Sequence, residues 1–258
     1  MGRRFEGDTV VVTGAARGLG RGIAEAFLAE GAGVLVADVN GEALAETAAA
    51  LGAAGAVEAI RVDVSVHHEV AAMVERALAW RGKIDHLINN AGIVRIASLA
   101  HSSEADWDRV IDVNLKGVYL GMRAVLPHMI ERRSGSIVNI ASQAGKRGSR
   151  YIGPYCASKA GVISLTQTAA LEAAPHVRVN CVCPGFINTE LQEEEYDEVA
   201  AISGQDRDEI KQSWVSAMPL GRFQEVGDVA DAVLFLASAA ASQTTGEALN
   251  ISGGMVMD

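Results

Sequence analysis

Residues 9–13 (TVVVT) run without a break into Gly14-Ala15-Ala16-Arg17-Gly18-Leu19-Gly20. A short run of β-branched residues suits a buried strand. After the glycines, Ile23, Ala24, Phe27 and Leu28 recur at helical spacing up to Gly31, which is placed to end the helix. Strand, glycine-rich turn and helix together are the setting in which a phosphate rests on a helix N-terminus. Glycine suits such a turn because a side chain blocks close backbone approach. The spacing is Gly-x-x-x-Gly-x-Gly, and a tight turn without a ligand accounts for it equally well.

The alternation continues. Residues 34–38 (VLVAD) read as a second strand ending in Asp38. An acid about twenty positions after a glycine turn is placed to bond an adenosine ribose hydroxyl, and its charge repels a ribose phosphate. No Arg or Lys follows at Val39 or Asn40, so the reading is NAD rather than NADP, although the Arg17 guanidinium in the turn blurs the distinction. A plain turn carboxylate is the alternative for Asp38. Residues 42–51 form an alanine-rich helix, and 59–64 (AIRVDV) a third strand with Asp63 near its end. Ser65 reads as the next N-cap, setting His67 and His68 in a first helical turn. Adjacent histidines point to different sides of a helix and suit a solvated surface better than a metal.

A fourth strand at 84–89 leads into Asn89-Asn90-Ala91-Gly92, where small residues let a flat ring approach. Ser103-Glu104-Ala105-Asp106 has the pattern of a helix start. In the helix that follows, Trp107, Val110, Ile111, Asn114 and Val118 fall on one face, so Asn114 interrupts an apolar stripe and must be hydrogen-bonded, as a structural tie or as part of a site. Strands at 136–142, ending in Ser142, and at 177–182 follow, with a helix through 162–171 between them. The second runs into Cys183-Pro184-Gly185-Phe186-Ile187-Asn188-Thr189. From about 189 to 218 the texture turns polar and acidic, which reads as two short helices forming a lid or a solvated excursion. A helix at 226–236 and a last strand at 247–251 close one domain spanning 1–258.

Charge and cysteine content narrow the function. The net charge of -10 argues against a nucleic-acid backbone or an anionic membrane as partner. Cys156, Cys181 and Cys183 form an odd set without metal-ligand spacing, as expected of a reducing cytoplasm, and Cys156 reads as packing rather than as a nucleophile. No apolar leader precedes the first strand, no stretch is apolar enough to span a bilayer, and Met1-Gly2 is followed by Glu6 where an acylation signal needs Ser or Thr.

Tyr155-Cys156-Ala157-Ser158-Lys159 carries the chemistry. In a helix Tyr155 and Lys159 share one face. A phenol of pKa about 10 is a poor acid or base at neutral pH, and a nearby ammonium favours the phenolate. Such a pair is able to act as a general acid/base.

Together, Thr13-Gly14-Ala15-Ala16-Arg17-Gly18-Leu19-Gly20, Asn89-Asn90-Ala91-Gly92, Asn114, Ser142, Tyr155 with Lys159, and Pro184-Gly185 resemble, in order and approximate spacing, the motif set of the short-chain dehydrogenase/reductase family. The resemblance covers essentially the whole chain. It implies a single-domain Rossmann-type α/β fold, a doubly wound parallel sheet with a helical substrate lid. It implies that Ser142 holds the substrate oxygen, Tyr155 exchanges its proton, Lys159 lowers the tyrosine pKa and holds the nicotinamide ribose, and Asn114 kinks its helix and anchors a relaying water. For NAD it implies contacts from Gly14, Arg17, Gly18, Leu19 and Gly20 at the pyrophosphate, Asp38 at the adenosine ribose, and Asp63 and Val64 at the adenine. Asn90, Ala91 and Gly92 would lie near the nicotinamide ribose, and Pro184, Gly185, Ile187 and Thr189 at the carboxamide end. No metal is required. Residues 141–148 and 155–167 are similar to bacterial polyol dehydrogenases, with Gln143 and Phe186 on the substrate side. The resemblance also implies a homotetramer. An NADP-linked ketone, hydroxysteroid or 3-oxoacyl reductase, and a non-catalytic NAD-binding sensor, are the alternatives.

Overall fold

The computed structural model describes residues 3–257; Met1 and Gly2, and with them the acylation motif, lie outside the described residues, as does Asp258. Seven strands form one parallel sheet: β1 (Thr9–Thr13), β2 (Gly33–Asp38), β3 (Val57–Arg61), β4 (His86–Asn89), β5 (Ser136–Ile140), β6 (Arg178–Pro184) and β7 (Ala248–Ile251), in the order β3-β2-β1-β4-β5-β6-β7. The order reverses between β1 and β4, where Val10 pairs with His86 and Val12 with Ile88. In open parallel sheets ligands bind at such a reversal, beyond the carboxyl ends of the strands.

The valine runs explain the two layers. Successive strand residues face opposite sides. Val10, Val12, Val34 and Val36 join one core, with Ile23 and Phe27 of α1 (Gly18–Ala29) and Val233 of α9 (Val226–Ala237). Val11 and Leu35 join the other, with Met73 of α3 (His67–Arg81), Val125 of α5 (Gly117–Arg132) and Val162 of α6 (Gly153–Ala173). Burial on both faces is what parallel strands require.

Three local expectations are corrected. The third strand stops at Arg61, so Asp63 lies beyond it. Val66 rather than Ser65 precedes α3; the Ser65 hydroxyl instead donates to Asp63 at 2.6 Å. The apolar stripe from Trp107 to Val118 is broken: Val110, Asn114 and Val118 are buried, but Trp107 is 43% exposed. A π-helical turn, Asp112–Lys116, joins α4 (Glu104–Ile111) to α5. Its extra residue rotates the following helix by about 100° relative to a continuous α-helix.

Two helices follow β6 as expected of a lid, α7 (Glu190–Ser203) and α8 (Arg207–Ser216). They close on Tyr196, Val199 and Ile210, which are buried with Trp214 and Phe223 against them.

Candidate active site

At the glycine turn the crowding comes from the chain itself. A Cβ on Gly14 would lie 2.7 Å from the Ala91 Cα, and one on Gly20 would fall on the Gly14 carbonyl and the Asn90 amide. Gly18 has open space around it and is fixed instead by its φ of +55°. Asn90 Nδ2 donates to the carbonyls of Thr13 and Gly14, both at 2.9 Å, and ties the ends of β1 and β4 together. At the start of α1, Arg17 supplies no side-chain cap and the first turn holds no acid. The orphan N–H groups there suit an anion such as a dinucleotide pyrophosphate. Asp38 closes the turn from the end of β2, accepting from Ala16 N at 3.1 Å and Asn40 N at 3.0 Å. These features fit a dinucleotide.

The remaining nucleotide-side residues have partners of their own. Arg17 reaches Glu190 at 3.3 Å and Glu194 at 3.8 Å on α7. Asp63 pairs with Arg109 at 3.4 Å; burial raises its pKa, but Ser65 and Arg109 outweigh this and hold it low. Val64 is buried. Gly185 N donates to Ile251 O, Ile187 bridges to Gln224, and Thr189 precedes α7.

The four residues expected to do chemistry converge. Ser142 sits just past β5, its Oγ accepting from Ala144 N at 3.1 Å, and its hydroxyl is near enough to Tyr155 to favour the phenolate. Tyr155 and Lys159 lie on one face of α6, with Lys159 Nζ 5.5 Å from the phenol ring centroid. The lysine is 3% exposed and donates to Ile140 O at 2.7 Å. Asn114, in the π turn, accepts from Ile93 N and donates to Ile93 O, both at 2.8 Å, and donates to Ser158 Oγ at 3.2 Å. Ser158 in turn donates to the Tyr155 carbonyl at 2.7 Å. The structural tie expected of Asn114 therefore leads to the tyrosine.

Burial dominates the electrostatics of the Tyr155–Lys159 pair. Burial raises the Tyr155 pKa above its ordinary value, the Glu195 carboxylate raises it further, and the nearby Ser142 hydroxyl lowers it. Burial also pushes Lys159 down to about 8. Desolvation disfavours both charges at once.

Phe186, expected on the substrate side, stacks on Trp214 of α8 with ring centroids 4.3 Å apart. Gln143 is buried, and among the described residues its Oε1 has no hydrogen-bond partner. Gln224 shares both features, and both oxygens flank Gly185. Sequence reasoning missed Gln224 and Glu195. Glu195 was legible: Gln192, Glu195, Tyr196 and Val199 have the spacing of one inward helix face.

A family model for short chain dehydrogenases matches residues 8–200. The chain belongs to the short-chain dehydrogenases. This oxidoreductase is 41% identical over 256 residues to a 3-oxoacyl-[acyl-carrier-protein] reductase of Thermotoga maritima, covering 98% of this chain and 100% of the relative. It is 40% identical over 253 residues to a galactitol 2-dehydrogenase of Agrobacterium fabrum, covering 97% and 98%. The crystal structure of an NAD+-bound xylitol dehydrogenase superposes with a TM-score of 0.95 at 32% identity, over 97% of this dehydrogenase and 100% of that chain. Among the described residues no helix is long and apolar enough to cross a membrane.

Proposed function

We propose that this short-chain dehydrogenase oxidises a secondary alcohol of a polyol or sugar alcohol with NAD, in the cytoplasm and as a homotetramer. The Tyr155 hydroxyl, near enough to Ser142 to feel its hydroxyl and backed by Lys159 on the same helix face, carries the reading. NAD supplies the hydride acceptor when bound. Ser142 holds the substrate oxygen, and Tyr155 takes its proton. Lys159, when charged, favours the phenolate, and Asn114 positions the tyrosine through Ser158. Because burial keeps the phenol protonated at neutral pH, alcohol oxidation speeds up as pH rises, whereas carbonyl reduction uses the protonated form directly.

Asp38 supports NAD, since its carboxylate sits where a ribose phosphate would meet like charge. Gly14, Arg17, Gly18, Leu19 and Gly20 serve the pyrophosphate, and Asp63 and Val64 the adenine. Asn90, Ala91 and Gly92 serve the second ribose, and Pro184, Gly185, Ile187 and Thr189 the carboxamide. Gln143, with a buried carbonyl oxygen in want of a donor, supports a substrate with a second hydroxyl; Phe186 supplies an apolar wall. The similarity to 3-oxoacyl reductases favours a second reading, NADP-linked ketone reduction. Steady-state assays separate the two. The first predicts NADH formation with xylitol, sorbitol or galactitol and a preference for NAD over NADP of roughly a hundredfold. Turnover confined to acetoacetyl thioesters with NADPH would establish the second instead.

A further inference from the structure

Two buried amides are left half-paired at the ends of the central strands. Gln143 is 6% exposed and Gln224 4%, and among the described residues neither Oε1 has a hydrogen-bond partner. Both oxygens border the same glycine: a Cβ on Gly185 would lie 2.7 Å from Gln224 Oε1 and 3.4 Å from Gln143 Oε1. Gly185 directly follows β6, and its N donates to Ile251 O at the end of β7, at 2.9 Å. Gln143 opens the tight turn Gln143–Gly145 just after Ser142. That turn presses on α6, since a Cβ on Gly145 would lie 2.7 Å from the Lys159 carbonyl carbon. The two oxygens therefore meet beyond the carboxyl ends of the strands, where ligands of a parallel sheet bind, and next to the catalytic serine.

The main chain of Gln224 already does the structural work at this position. Its N donates to Phe186 O at 2.9 Å, and its O accepts from Asn188 N at 2.8 Å. In the side chain, Nε2 donates to Met218 Sδ at 3.6 Å, which leaves Oε1 on the Gly185 side. Buried polar atoms are normally hydrogen-bonded, and an amide oxygen only accepts, so the missing donor comes with what binds. Two oxygens at one place take two protons, and one hydroxyl supplies only one. A carboxylate, or the reacting end of a 3-oxoacyl thioester, supplies none.

Resting on the reading that the substrate is a polyol, we propose that Gln224 is a specificity-determining residue that accepts a hydrogen bond from a third substrate hydroxyl, next along the chain from the one Gln143 takes. The preferred substrate then carries at least three hydroxyls: one is oxidised, and the other two each give a proton to one glutamine. A simple vicinal diol serves Gln143 alone and leaves the Gln224 oxygen unpaired, which a site built to bond a hydroxyl penalises.

The test compares kcat/KM for xylitol, sorbitol and galactitol with that for 2,3-butanediol, in the wild type and in Gln224→Met, Gln224→Leu and Gln224→Glu, all with NAD. Methionine and leucine fill the space without an oxygen, and glutamate keeps an acceptor whether or not it is protonated. Tryptophan quenching by NADH confirms that each variant is folded. The preference for the best polyol over 2,3-butanediol should fall about tenfold in Gln224→Met and Gln224→Leu, mainly through the polyol KM, and by less in Gln224→Glu. A glutamine that only packs the chain would lower both substrates alike. An unchanged preference, or an unchanged polyol KM where 2,3-butanediol is not turned over, would overturn the role of Gln224 and leave the polyol reading standing. A wild type that oxidises none of the three polyols would overturn both.

Discussion

The Glu195 carboxylate makes the Tyr155 phenolate more expensive. Burial comes first in raising Glu195, to about 7, with Glu198 adding to it and the Gln192 hydrogen bond opposing. An acid whose pKa is raised on folding costs nothing while it is protonated in both states. The cost appears as pH rises past the ordinary 4.5 and is complete above about 7. Glu195→Gln should therefore melt higher than the wild type at pH 8, with the difference vanishing by pH 4; equal melting temperatures at pH 8 would show that the carboxylate is not strained. The same variant removes a charge that holds the phenol protonated, so the rising limb of 2-butanol oxidation should move to lower pH. At this scale the sequence showed which groups meet but not how deeply they are buried. The four-residue spacing of Tyr155 and Lys159 showed which groups meet. Burial of both is a tertiary fact that the spacing does not state.

Helices and strands were legible where periodicity is strong and blurred where local chemistry intervenes. The valine runs of β1 and β2 and the glycine end of α1 lay where the pattern put them. The stripe from Trp107 to Val118 misled because a π turn looks like α-helix in sequence; only the buried polar Asn114 hinted at it. That residue satisfies both backbone groups of Ile93 and holds Ser158, so it joins three segments. Asn114→Ala leaves those buried groups unpaired, at about 1–3 kcal/mol for the uncompensated polar atoms. A lower urea midpoint together with weakened catalysis is expected. An unchanged midpoint would mean that the tie carries no stability. The polar segment was legible as two helices from its change of texture, but the ion pairs of its acids were not, because Arg17 reaches them from the glycine turn and Arg207 and Lys211 from the second of the two helices.

For the whole molecule, alternation announced a parallel sheet, and the reversal of strand order between β1 and β4 places the glycine turn, Asn90, Ser142 and Tyr155 around one crevice. No local pattern states that order; the ordered motif set does. Substrate identity is less readable because relatives of nearly equal similarity reduce 3-oxoacyl groups or bear the name of a polyol dehydrogenase. Exposed apolar side chains on α5 and α6, Tyr119, Ile130 and Leu171, accord with partner copies packing there. Light scattering should give the mass of four 27.0 kDa chains, and a monomeric mass would remove that assembly. The account as a whole stands on proton transfer by one phenol. Tyr155→Phe keeps the ring and deletes only the hydroxyl. With xylitol and NAD it should form NADH at least about a thousandfold more slowly than the wild type while still binding NADH, and turnover within tenfold of wild type would contradict the account.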